Sequence, residues 1–188
     1  MTGVMKLVTV CCSLLMLTVL LFPIWKIDFT APQYPEGLRL LIHANKLAGD
    51  VDIINGLNHY IGMKHLNAAD FIEFKALPIM IIGYAVLGLL TLLVNRRKIF
   101  NAWVILFVLI AIVSFADFYR WEYDYGHDLN PMAAIQVPGM AYQPPLIGFK
   151  KLLNFTVYSI PDTGGWIFIA IGVMLVGTSV YYFVKRKK

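Results

Sequence analysis

Four stretches of this chain are apolar for long enough to cross a lipid bilayer as helices, and no other feature constrains the fold as strongly. A hydrocarbon core of about 30 Å takes roughly 20 helical residues. Residues 5–24, 77–94, 100–119 and 166–184 meet that length, and their central portions hold no Lys, Arg, Asp, Glu or His. Gly83, Gly88, Gly172 and Gly177 lie inside these segments, where small residues let helices approach closely. Pro78 falls in the first turn of the second segment, where a missing N–H does no harm. The composition agrees: 59% of the 188 residues are hydrophobic and 14% charged, against about half and a quarter in soluble domains. That apolar content excludes a disordered chain. The two cysteines, Cys11 and Cys12, are adjacent, which excludes a disulfide scaffold.

Charge placement predicts an orientation. Lys6, the Arg96-Arg97-Lys98 turn and the Lys185-Arg186-Lys187-Lys188 tail are basic with no acid among them. The two long connections, 25–76 and 120–165 with the span end before it, hold all 11 acidic residues and the remaining bases. Short, purely basic segments stay in the cytoplasm, so both termini are expected inside and both connections outside. The first segment then reads as an uncleaved signal-anchor, because no small-x-small site precedes Pro23. The net charge of +5 is a topology signal and, at most, a contact with anionic lipid. It does not indicate nucleic acid.

Pumps, channels and coupled transporters place ionisable groups at mid-bilayer, and intramembrane bis-histidine haem needs histidines within the spans. His43, His59, His65 and His127 all fall in the outer connections. Asp117 and Arg120, one turn apart, are expected to form a local pair. The spans therefore read as anchor and scaffold, with function outside.

In the first connection, Pro32 and Pro35 make residues 25–37 extended and rigid. Leu38, Leu40 and Ile42 alternate in the manner of a short strand. Asp50 is placed to cap a helix through Ile53, Ile54, Leu57 and Ile61, ended by Gly62. Asn67 is placed to cap another that runs through Phe71 and Phe74 into the second span. The second connection is aromatic and turn-rich, with Trp121, Tyr123 and Tyr125 followed by Asn130-Pro131, Pro138-Gly139 and Pro144-Pro145. Lys150, Leu152, Leu153, Phe155 and Val157 suit a short amphipathic piece at the membrane surface. Folded over one another, the two connections would form an outer cap rich in side chains that partner proteins bind.

The sharpest local constellation is His59-Tyr60-Ile61-Gly62-Met63-Lys64-His65. Imidazole and thioether ligands suit copper. His59 and Met63 share a helix face, His65 follows the Gly62 break, and His127, Met132 and Met140 are available to complete a set. Irregular spacing of this kind more often reflects packing. No CxxC or HExxH spacing points to zinc. There is no GxSxG, no Gly-rich phosphate loop, and no cysteine beyond the first span, so the chain reads as a non-enzyme. Asn154-Phe155-Thr156 fits the glycosylation sequon.

Longer strings carry a resemblance. Ala31-Pro32-Gln33-Tyr34-Pro35-Glu36-Gly37-Leu38, the run from Gly49-Asp50-Val51-Asp52 to His59-Tyr60-Ile61-Gly62-Met63, and Tyr123-Asp124-Tyr125-Gly126-His127-Asp128-Leu129-Asn130-Pro131 resemble the NosB-like family of small four-helix membrane proteins. Pro144-Pro145-Leu146-Ile147-Gly148 and Asn154-Phe155 are similar too. That family is encoded beside the clade II nitrous-oxide reductase, a periplasmic copper enzyme. The resemblance implies a membrane accessory subunit whose cap faces the reductase, the copper centres belonging to that other chain.

The sequence thus leads us to expect an all-α integral membrane protein of the bacterial inner membrane, one domain over 1–188. Four spans would carry a periplasmic cap built from 25–76 and 120–165. Its function would be to anchor a periplasmic copper oxidoreductase, nitrous-oxide reductase by the resemblance. Tyr34, Tyr60, Trp121, Tyr123 and Tyr125 would form the contact. No cofactor is expected in the chain, and copper at His59, Met63 and His65 is the exception to test. Two alternatives stand beside this: a copper-handling maturation factor, and a quinol-linked electron-entry subunit using Asp117, Arg120 or His127.

Overall fold

The computed structural model describes residues 1–185; Arg186, Lys187 and Lys188 of the expected basic tail lie outside the described residues. Four long helices form a bundle: α1 (Gly3–Thr18, continued by one 3-10 turn, Val19–Leu21), α3 (Glu73–Val94), α4 (Arg97–His127) and α5 (Thr163–Lys185). All four are long and apolar enough to cross a membrane. Between α1 and α3 the chain forms β1 (Trp25–Ala31), β2 (Tyr34–Ile42), β3 (Leu47–Gly49) and α2 (Val51–Ile61). Between α4 and α5 it forms β4 (Gly148–Leu152) and β5 (Phe155–Pro161).

The expectation of an all-α protein is wrong. The cap holds a five-stranded antiparallel sheet in the order β3-β2-β1-β5-β4. Its central pairing, β1 with β5, sets Trp25 against Pro161 and Thr30 against Thr156, uniting the two connections in one sheet. The cause lies in a period of two. Trp25, Ile27 and Phe29 alternate with Lys26, Asp28 and Thr30, and Phe155 and Val157 alternate with Thr156 and Tyr158, the pattern of strands with one buried face. Prolines at 32 and 35 draw attention to rigidity and away from this alternation. The stretch from Lys150 to Val157 is likewise no surface amphipathic piece. It is the β4–β5 hairpin, turned at Leu153 with φ 55° and closed by the Leu152–Phe155 pair.

One sheet face carries Ile27, Leu38, Leu40 and Val157, which with Ile54, Leu66 and Leu152 form the cap core. The opposite face carries charges beside the stacked Phe149 and Tyr158 rings: Arg39 Nε meets Asp28 Oδ1 at 2.6 Å, with Lys26 Nζ 3.9 Å from the other carboxylate oxygen. Asn154 Nδ2 donates to Gln33 Oε1 (2.9 Å) and ties the two hairpin tips together.

Boundaries shift in instructive ways. Helix α2 ends as expected at Gly62, φ 80°, whose N–H returns to Asn58 and His59 carbonyls. Asp50 does not cap it, because its Oδ2 accepts from the Arg39 N–H (2.8 Å) and fastens the helix to β2. Asn67 caps only a 3-10 turn, Ala68–Asp70, and α3 starts afresh at Glu73. Helix α4 runs eight residues past Tyr119. At about 46 Å it overshoots a 30 Å hydrocarbon layer and reaches into the cap.

The bundle core is a separate cluster, in which Met5, Cys12 and Met16 of α1 meet Ile81, Tyr84, Phe100, Trp103 and Ile171. The end of the bundle away from the sheet gathers the α3–α4 turn, Met1 and the last turn of α5. The Met1 amine donates to Asn95 O (3.0 Å), and Arg97 lies 5.9 Å over the Tyr182 ring.

Candidate functional site

The cap end of α4 organises the site. On a helix, positions three and four apart share a face. Phe118, Trp121, Glu122, Tyr125 and Gly126 follow that spacing and turn toward the sheet, whereas Tyr119, Tyr123 and His127 turn away. Phe118 packs on Trp25 (5.2 Å between centroids), and Trp121 packs on Phe71 (5.5 Å) and Tyr125 (5.1 Å). At Gly126 the backbone of Gln143 occupies the space a side chain would need. That approach lets the Tyr142 N–H reach the Gly126 carbonyl at 2.9 Å. Glycine here is therefore a packing requirement.

Between this helix face, α2 and the apolar face of the sheet lies a cavity of about 260 Å³. Ile27, Leu40, Ile54, Val157, Trp121 and Tyr125 line much of it. Glu122 and Tyr142 also line it, each essentially buried. Neither Glu122 carboxyl oxygen has a hydrogen-bond partner, and neither has the Tyr142 hydroxyl. Burial pushes the Glu122 carboxyl up to about 8, against a smaller opposing pull from Lys150. The Lys150 ammonium donates to Gln143 O (2.9 Å), so it is held near by the chain itself. Sequence reasoning missed Glu122. It stands in a run of charged residues from Asp117 to Asp128 and looks like one more solvated acid. The available signal was its position on the aromatic face, one residue after Trp121 and four before Gly126.

The five residues expected to contact a partner do not behave alike. Tyr34 stacks on Phe155 (6.2 Å) and packs against the cap core. Trp121 is half-buried among Phe71, Phe118 and Tyr125. The Tyr125 hydroxyl donates to His65 O (3.2 Å). Tyr60 and Tyr123 are exposed, at 56% and 46%. Tyr123 stacks on His127 at 3.9 Å, while His127 Nδ1 lies 2.9 Å from Tyr123 O.

His59, Met63 and His65 come together along one groove, with Lys64, Asp128 and Asn130 beside them. The two imidazoles meet edge to face, 6.2 Å between centroids. Asp128 is engaged by Lys64 at 2.6 Å. Among the described residues no group of three or more His, Cys, Asp or Glu is arranged to hold a metal ion; Met63 would have to supply the third ligand. Asp117 pairs with Arg120 (2.7 Å), which also lies 3.9 Å from Glu73.

The fold and site define a four-helix bundle of membrane-spanning composition bearing an α/β cap. The sequence matches no family model and no curated protein, and the fold matches no solved structure.

Proposed function

We propose that the protein is an integral subunit of the bacterial cytoplasmic membrane that anchors a periplasmic copper oxidoreductase, nitrous-oxide reductase, through its cap. Both termini face the cytoplasm. The carrying observation is an exposed apolar patch on an otherwise well-ordered cap. Met132, Tyr60 and Ile135 are exposed at 86%, 56% and 47%, and the Ile135 N–H donates to Tyr60 O at 2.8 Å. Exposed apolar side chains carried on a folded cap are the usual form of a protein-binding face. The patch belongs to the cap, so burial against lipid-facing helices does not account for it. The sequence resemblance supplies the identity of the partner. The Arg96-Arg97-Lys98 turn, grouped with Lys185 away from the sheet, supports the orientation.

Gentle extraction from the native membrane tests this. The copper enzyme should co-elute, and a photo-crosslinker placed at Met132 should join the two chains. Capture of no periplasmic protein by the wild-type chain would end the reading. A second reading, copper delivery to that enzyme, is favoured by one observation: His59, Met63 and His65 line a single groove.

A further inference from the structure

We infer that the cap cavity binds a small hydroxylated aromatic ring, of the phenol or hydroquinone class, with its hydroxyl donating to Glu122. The inference is independent of which protein the cap meets. Three observations carry it. The first is the cavity itself. About 260 Å³ exceeds the roughly 150 Å³ that accommodates benzene in an apolar protein interior, leaving room for ring substituents. The second is the wall, where Trp121, Tyr125, Phe29 and Phe155 supply aromatic faces and Ile27 and Val157 a flat apolar floor on the sheet. Offset and edge-on contacts with such rings favour a planar guest. The third is a set of unsatisfied polar groups. A buried carboxyl with no partner is costly, and proteins rarely leave one. Glu122 presents an unpartnered carboxyl, with one acceptor oxygen and one O–H while it holds its proton, Tyr142 an unpartnered hydroxyl and Trp121 an unpartnered indole N–H in the lining of one cavity.

The complement of that arrangement is a ring with at least one O–H to give and a second oxygen to meet Tyr142. Purely apolar guests would leave these polar groups unpaired. Two sources share this chemistry: a soluble phenol, and a membrane hydroquinone carrying an isoprenoid chain.

The experiment uses the full-length protein in nanodiscs and measures binding of methylhydroquinone, its dimethyl ether, and a short-chain isoprenyl hydroquinone. The hydroquinone should bind saturably, and the ether, which has the same ring and no O–H, about tenfold more weakly. Glu122→Leu, which removes the acceptor, and Tyr142→Phe, which removes the hydroxyl, both close in volume to the residues they replace, should weaken hydroquinone binding several-fold while thermal unfolding remains cooperative. A gain in affinity from the isoprenyl chain identifies the membrane source, and no gain the soluble one. Equal binding of hydroquinone and ether, or no difference between wild type and Glu122→Leu, would overturn the proposal. So would absence of saturable binding, which would leave the cavity to water.

Discussion

Tyr84 and Trp103 hydrogen-bond to each other's backbone. The Tyr84 hydroxyl donates to Trp103 O (3.1 Å) and the Trp103 indole N–H donates to Tyr84 O (3.2 Å), with the rings stacked 4.9 Å apart. This reciprocal clasp joins α3 to α4 where water cannot compete, so both donors are satisfied without a charged group in the bundle. Gly88, one turn along α3, admits the Trp103 ring and the Ser13 hydroxyl of α1 into the space a side chain would fill.

The clasp should therefore be sensitive to volume before polarity. Gly88→Leu is expected to separate α1 and α4 from α3 and destabilise the bundle by about 1–3 kcal/mol. Tyr84→Phe, which removes one bond and keeps the ring, should cost about 1 kcal/mol. Unfolding in mixed detergent micelles, followed by tryptophan fluorescence, measures both. A larger loss from Tyr84→Phe than from Gly88→Leu would mean that the hydrogen bond outweighs the packing.

Glu122 predicts a pH dependence. Its folded carboxyl holds its proton up to about pH 8, whereas in the unfolded chain it ionises near the ordinary 4.5. Between those values the folded state binds more protons, so its contribution to stability is complete below pH 4.5 and is lost as pH rises toward 8. The slope is at most about 1.4 kcal/mol per pH unit. Glu122→Gln should flatten that part of the stability profile. A wild-type profile rising with pH across the same window would contradict the assignment.

The exposed and the packed aromatics of the cap should separate in mutagenesis. Trp121→Ala is expected to lower cap stability by about 3 kcal/mol, since it removes a ring held among Phe71, Phe118 and Tyr125. Tyr60→Ala and Met132→Ala should leave unfolding unchanged and weaken partner capture. If Tyr60 is a central anchor, truncation should cost about 2 kcal/mol, some thirtyfold in affinity. Co-purification yields set beside melting curves decide the matter.

Topology has its own test. A reporter active only in the cytoplasm should work when fused after Val94 or after Lys188, and a periplasmic reporter should work at residue 136. Activity of the periplasmic reporter at either basic site would invert the orientation and remove the docking proposal with it.

Copper handling can be checked separately. His59→Ala combined with Met63→Ala is expected to leave the copper content of the partner enzyme unchanged if the groove is structural. Copper-poor partner, with this protein present at its normal level, would establish the delivery reading instead.

The four bundle helices were legible in the sequence because a long uncharged apolar run is a local property, and few other forms can hide its backbone from lipid. The Gly62 stop of α2 was equally local. The alternation of residues 25–31 and 155–161 was present too, but a strand acquires meaning only from its partner. One of the two partners of β1, β5, lies some 130 residues away, beyond two long helices. Glu122 shows the same division. Its chemistry can be read from one letter, while its burial depends on α4 overrunning the bundle, on Gln143 closing against Gly126, and on a sheet assembled from both connections. Sequence determined which segments avoid water. Tertiary structure decided which polar group they took with them, because desolvation depends on neighbours in space and not on neighbours in the chain.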